Sequence, residues 1–226
     1  MMNLVLAAVF LPLSHFLIAS TRLRDRLVGR LGEKRYFRLY SWIAYGAVAW
    51  LLVAYYAAPA VPLWQVPRTL RLALAPVILF ATLLAVAGVT TPNPVIVRSE
   101  RLFNAPEVVR GVLRISRNPF FWGMALFALA HVIIIGDVAA TLAFGSVALL
   151  GFAGAPILDA KKARRHGEAW RAFAAVTSDI PFLAIAERRQ RLVLREIGWR
   201  RFAYGFALFG VALLFHHVSL SALGRF

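Results

Sequence analysis

The sequence predicts an all-α fold: a polytopic membrane helix bundle of about six transmembrane helices with both termini outside. Three observations lead there. Hydrophobic residues make up 61% of the 226 positions. They gather in long runs, and a spanning helix needs about 20 mostly apolar residues. Of the 26 Lys and Arg, 23 fall in residues 21–38, 91–118 and 159–201, between those runs.

The predicted spans are residues 1–20, 40–58, 70–90, 119–136, 138–158 and 202–222. The first lacks a basic leading region and runs straight into Arg22, so it is expected to span rather than to be cleaved as a signal peptide. Pro12 lies inside it, bends it and leaves a backbone carbonyl without its usual partner, which can aim His15 inward. The fourth and fifth runs are separated only by Gly136 and Asp137, a turn signal. Together they exceed any bilayer, so they are expected to form two helices and a tight hairpin. Pro119 suits the first turn of the fourth span. Trp42, Trp50, Trp64, Trp122 and Trp199 cluster toward span ends, as an interfacial belt does.

With six spans the three basic stretches share one side, and the positive-inside rule makes that side cytoplasmic. They hold 23 basic against nine acidic residues, whereas the opposite side holds Arg68, Arg71 and Arg225 against Asp137. The sequence pI near 11.6 therefore reflects topology and anionic lipid head groups at the cytoplasmic face, not nucleic acid. Multi-pass membrane insertion follows, with the basic stretches inside. Cysteine is absent, which excludes disulfides, thiolate metal sites and cysteine nucleophiles. Residues 1–226 read as one integral membrane domain.

Ionisable side chains within spans are costly and mark candidate sites. Here they are His15, His131, His216 and His217. Each could simply hydrogen-bond a neighbouring helix, and neutral imidazole is also the common ligand of haem iron. At 1.5 Å per residue, His15 lies about 8 Å, His131 about 18 Å and His216 about 21 Å from the cytoplasmic helix ends. No Asp or Glu lies at depth, so a four-ligand cage is disfavoured. His131 matches His216 best in level, and pairing His15 with His131 requires a tilted macrocycle. The residues leave both pairings open.

At the cytoplasmic edge, residues 106–117 are expected to form an amphipathic interfacial helix, with Val108, Val109, Val112 and Ile115 opposite Arg110, Arg114 and Arg117. Arg117 beside the start of the fourth span forms an anion site for a carboxylate, a propionate or a phosphate, or else an anchor at the head groups. Trp170 and Phe173 are expected at the membrane surface, His166 in solvent, and residues 177–182 in a turn with local side-chain hydrogen bonds.

Three ordered motifs carry a resemblance. The first is His15-Phe16, Ser20, Arg22, Gly32-Glu33, Tyr36 and Tyr40-Ser41. The second is Arg114-Ile115-Ser116-Arg117-Asn118-Pro119, Gly123, Ala130-His131 and Gly136-Asp137. The third is Asp159, Lys161, Gly167, Trp170, Phe173, Thr177-Ser178 and Ile180-Pro181-Phe182. Together they resemble the NnrU family of bacterial membrane proteins, whose relatives include plant zeta-carotene isomerase. The resemblance implies haem b held by His15 and His131, with Arg22 or Arg117 near a propionate, while the depth comparison keeps His216 as the alternative iron ligand. It also implies a supporting role in denitrification, through redox or nitric oxide chemistry, beside other denitrification membrane proteins; whether the role is enzymatic it leaves open. The family's Arg-His-Pro reads Arg117-Asn118-Pro119 here, and Ala128 replaces the isomerase's cysteine, which excludes thiolate exchange. Residues 114–182 also resemble the cofactor-binding half of isoprenylcysteine carboxyl methyltransferases, implying S-adenosylmethionine-dependent methyl transfer, although Asp159-Ala160 replaces their paired Glu. A cofactor-free membrane assembly factor is the third reading.

Overall fold

The computed structural model describes residues 1–226 except Thr21, Val97, Arg98, Pro106 and residues 223–226; the side chains of residues 19, 20, 22, 100, 104 and 217–222 also lie outside the description. A helix occupies each of the six predicted segments. These are α1 (Met2–Ser20), α3 (Glu33–Ala57), α4 (Arg68–Thr90), α5 (Pro119–Ile135), α6 (Val138–Val176) and α9 (Trp199–Ala222). Between them lie α2 (Arg22–Leu31) and the short α7 (Leu183–Ala186) and α8 (Leu194–Ile197), with 3-10 turns at Glu100–Asn104 and Gly111–Arg114. Among the described residues, α3, α4 and α6 are long and apolar enough to cross a membrane, and α1 with α2 makes a fourth if the bent pair is one span. The protein is thus an all-α membrane protein. α5 is apolar but only 17 residues long, short of the usual requirement.

The chain divides into two units: residues 1–74 with 124–165, and residues 75–123 with 166–226. In the first, Leu4, Ala7, Ala8 and Leu11 of α1 pack against Ala47, Leu51 and Ala54 of α3 and Ala139, Ala143 and Leu150 of α6. Small residues dominate because helices in lipid gain by close backbone approach rather than by water exclusion. Trp50 Nε1 donates to Asn3 Oδ1 at 2.9 Å across α1 and α3.

The expected hairpin at Gly136-Asp137 is present. Gly136 has φ +69, and a Cβ there would fall 2.5 Å from the Trp64 carbonyl oxygen, so glycine meets both the backbone and the space requirement. Asp137 caps α6 by accepting the Ala140 N–H at 2.6 Å. The segment before α4 is tied to this turn by Leu63 N–H to Gly136 O, Val138 N–H to Val61 O and Trp64 Nε1 to Ile133 O.

In the second unit, Leu84 and Ala87 of α4 share a core with Val112, Leu113, Ile115 and Ile197. α4 and the start of α5 touch nearly backbone to backbone. A Cβ on Gly123 would meet Ala81 O and Ala85 N at 2.6 Å, and one on Gly88 would meet Phe120 N at 2.6 Å. α6 continues beyond its predicted end, with non-helical geometry at Gly167.

Three expectations for the basic stretches are corrected. Residues 106–117 are not an amphipathic helix: Glu107 and Gly111 take positive φ, only Gly111–Arg114 coils, and Val112, Leu113 and Ile115 are buried in protein. Trp170 and Phe173 do not lie on a membrane surface; they are 5% and 3% exposed, edge-on to Phe103. His166 is half-buried rather than in open solvent, its ring 5.1 Å from that of Phe103.

Candidate functional site

Two polar constellations emerge, one in each unit. In the first unit, His15 on α1 donates Nδ1–H to Leu11 O at 2.8 Å, and His131 on α5 donates Nδ1–H to Phe127 O at 2.7 Å. A carbonyl only accepts, so in each neutral imidazole the proton is on Nδ1 and Nε2 carries the lone pair. Both bonds run to the residue four back, which follows from helix geometry and pins each ring to its own helix.

The ring surroundings differ. His131 is 8% exposed, tilted against Phe127 at 4.1 Å and stacked on Phe144 at 4.9 Å. Phe144 in turn meets Tyr55. His15 is half-buried, and its ring meets Tyr40 edge-on at 5.7 Å; Tyr40 stacks on Tyr36. Along α3, Tyr40 and Tyr55 are fifteen residues or about 22 Å apart. His15 and His131 are thus anchored at different levels of the same unit. His216 on α9 also donates Nδ1–H to the carbonyl four back, Ala212 O, at 3.0 Å, but it is exposed. The side chains of His217 and Arg22 lie outside the described residues. Among those residues, no group of three or more His, Cys, Asp or Glu could hold a metal ion.

In the second unit, residues 115–118 run beside residues 178–182. Arg117 N–H donates to Ser178 O at 2.8 Å and Phe182 N–H to Ile115 O at 2.8 Å. Side chains lock the same pairing. Ser116 Oγ donates to Asp179 O at 2.6 Å. Asp179 Oδ1 accepts from Asn118 Nδ2 at 2.9 Å and from Trp122 Nε1 at 3.3 Å. Asn93 Nδ2 donates to Arg117 O. The Arg117 guanidinium lies 5.5 Å over the Trp170 ring and donates to Thr177 O at 3.3 Å, so this predicted anion-site residue is engaged by protein groups. Trp122, expected in the aromatic belt, instead serves this network.

Below this edge, Arg114 meets Glu196 through two bonds, Nε to Oε2 at 2.7 Å and Nη2 to Oε1 at 2.9 Å. Gly111 N–H adds a third donor to Glu196. Hydrogen bonding from Arg114, then from Gly111, holds the Glu196 carboxyl below its ordinary range. Arg114 was expected among lipid phosphates and instead pairs within the protein.

Sequence reasoning missed Asp179, Asn93, Glu196 and Gln190 as network members. The one available signal was the grouping of motif polar residues at 114–118 and 177–182. The donor chemistry of His15 and His131 fits an iron ligand, since a metal-ligating His characteristically donates its other N–H to a carbonyl or carboxylate.

Comparison with known proteins agrees with this architecture. A segment of the chain is 41% identical over 93 residues to 15-cis-zeta-carotene isomerase, chloroplastic, of Arabidopsis thaliana, covering 41% of this chain and 24% of that protein. The corresponding Zea mays protein is 38% identical over 84 residues, covering 36% of this chain and 22% of the relative. The matched part therefore spans about a quarter of those relatives' length. No solved structure matches. The family model described as NnrU protein matches residues 3–223, and the chain belongs to the NnrU family.

Proposed function

We propose that this NnrU-family membrane protein binds haem b through His131 and His15 in a bacterial inner membrane and supports nitrogen-oxide metabolism by redox or nitric oxide chemistry. The observation that carries the reading is the shared Nδ1–H to carbonyl bond, which presents Nε2 as the lone-pair nitrogen on both histidines. Bound haem would supply one-electron chemistry and an iron for small diatomic ligands. The chain's own contribution is orientation and exclusion of water. Phe127 and Phe144 hold the His131 ring from two sides, and Tyr40 borders His15.

His131 is the first ligand in this reading, because its ring is the more buried and the more tightly framed. His15 is the second; Tyr40 beside His15 and Tyr55 beyond Phe144 are about 22 Å apart along α3, farther than two imidazoles and one iron reach, so His15 would have to move toward His131 for both to hold the iron. The propionate partner within the same unit is assigned to Arg22.

The test is an absorption spectrum of protein purified in detergent from haem-replete cells. A Soret band with split visible bands on reduction, lost in His131→Ala, supports the reading. Colourless protein under those conditions sinks it. Spectral change on adding nitric oxide to the reduced protein then separates ligand binding from electron transfer alone.

A further inference from the structure

Two contacts from one guanidinium set a short loop apart in the second unit. Arg114 reaches Gln190 Oε1 at 2.7 Å and Glu196 Oε2 at 2.7 Å, so both ends of residues 190–196 are fixed while the chain between them turns outward. Arg191, Leu192, Leu194 and Arg195 are exposed there, as are Trp199 and Arg200 just after. The acidic side chains of this stretch are already engaged, Glu187 with Arg189 and Glu196 with Arg114. Among the described residues, no ion pair joins a carboxylate to Arg191, Arg195 or Arg200. The surface therefore alternates guanidinium groups that no carboxylate neutralises with large apolar side chains, Leu192, Leu194 and Trp199 being 47%, 57% and 74% exposed.

The anchors of this loop fix its depth. Ile197 lies in the core shared by Leu84 and Ala87 of α4, and Arg201 Nη2 donates at 3.0 Å to the carbonyl of Thr90, the last residue of α4. α4 is long and apolar enough to cross a membrane, and Leu84 to Thr90 covers about 9 Å of it. The loop is thus held beside the final turns of a spanning helix, where acyl chains give way to head groups. Leucine and tryptophan side chains exposed at that level gain by entering the interface, while arginines extend from the same backbone to phosphates. We infer that residues 191–200 form a lipid-binding loop, which inserts Leu192, Leu194 and Trp199 into one leaflet and gathers anionic phospholipid through Arg191, Arg195 and Arg200. An acidic soluble protein would match the arginines, but it would not account for leucines presented at bilayer level. The loop is independent of the haem reading, because none of its residues is a proposed iron ligand or propionate partner.

The absence of cysteine lets one reporter be placed at a time on the full-length protein in bilayers of phosphatidylcholine with a minor fraction of phosphatidylglycerol. A nitroxide on Leu194→Cys is relaxed by oxygen rather than by a water-soluble nickel complex; the reverse means that the loop stands in water and overturns insertion. A bimane on the same cysteine is then quenched by brominated phosphatidylglycerol or brominated phosphatidylcholine, which gives the relative association of the two lipids. Phosphatidylglycerol is favoured by about fivefold, the scale of one arginine at an anionic surface. The preference disappears when Arg191→Gln and Arg195→Gln are added together and persists with Arg191→Lys and Arg195→Lys. It is absent for bimane on Leu70→Cys, an exposed position at the opposite end of α4. Equal quenching by the two lipids at Leu194→Cys, or the same preference at Leu70→Cys, overturns anionic lipid as the ligand of this loop. A preference that survives the paired glutamine substitutions overturns the role of the arginines.

Discussion

Arg114 and Glu196, eighty-two residues apart in the chain, meet in a two-bonded ion pair that closes the segment before α5 onto the segment before α9. Gln190 Oε1 accepts from Arg114 Nη1 at 2.7 Å, so the guanidinium reaches two points on the 190–196 loop. The side chains are 24% and 30% exposed, which places the pair between a surface ion pair and a fully buried one.

Glu196→Gln should destabilise the protein by about 2 kcal/mol, since it weakens charge-assisted bonds to Arg114 and to the Gly111 N–H. The pH dependence has a definite sign. The folded-state carboxyl is held below its ordinary value, so its contribution is complete above the unfolded pKa and is lost as pH falls through the folded one. Thermal unfolding of wild type and Glu196→Gln should differ at neutral pH and converge in acid. A difference that persists in acid would show that packing, rather than charge, is what the substitution removes.

Asp179 carries a second junction by accepting from Asn118 and Trp122 together. Asp179→Ala leaves Asn118 Nδ2, on a residue only 3% exposed, without that acceptor, at a cost of about 2 kcal/mol. Asp179→Asn keeps an acceptor oxygen and should cost less than half as much. Melting curves in detergent distinguish the two variants, and an equal loss in both would assign the contribution to the negative charge itself.

Much of the fold was legible in the sequence because bilayer insertion writes itself into composition. Each predicted apolar run became a helix, and Gly136-Asp137 and Pro119 acted as local signals in the places expected. Tertiary effects were not legible. Residues 106–117 have helical apolar spacing, yet Gly111 takes positive φ where its N–H reaches Glu196, a partner that no local pattern reveals. Trp170 and Phe173 share a face, which reads equally as lipid-facing or protein-facing until Phe103 is placed against it. Likewise His15 and His131 were visible as intramembrane histidines, whereas the Phe144 stack and the different levels on α3 depend on packing.

Helix contact supplies a sharper contrast. Gly123→Ala should destabilise by about 2 kcal/mol, because the added methyl meets the backbone of α4 rather than a movable side chain. Gly145→Ala, with nothing within 4 Å of the new Cβ, should be neutral or stabilise by up to about 1 kcal/mol through helix propensity. The difference between the two melting shifts is the measurement. Equal shifts would mean that α4 and α5 do not approach as closely as their glycines indicate.

The iron-ligand assignment separates cleanly by substitution and rescue. His131→Gly removes an imidazole held between Phe127 and Phe144 and leaves an aromatic-walled space about the size of the lost ring. Added imidazole should restore the Soret band in that variant at millimolar concentration, on the order expected for a small ligand in a shaped pocket. His15→Gly, with its half-buried ring against Tyr40, should recover less completely. If His15 is the second ligand, its loss converts a six-coordinate low-spin spectrum to a five-coordinate one without abolishing haem binding. If His216→Ala does this and His15→Ala does not, the second ligand is His216 rather than His15. Should neither substitution change the coordination state while His131→Gly removes all colour, His131 is the sole protein ligand and the opposite face of the iron is open to a diatomic ligand.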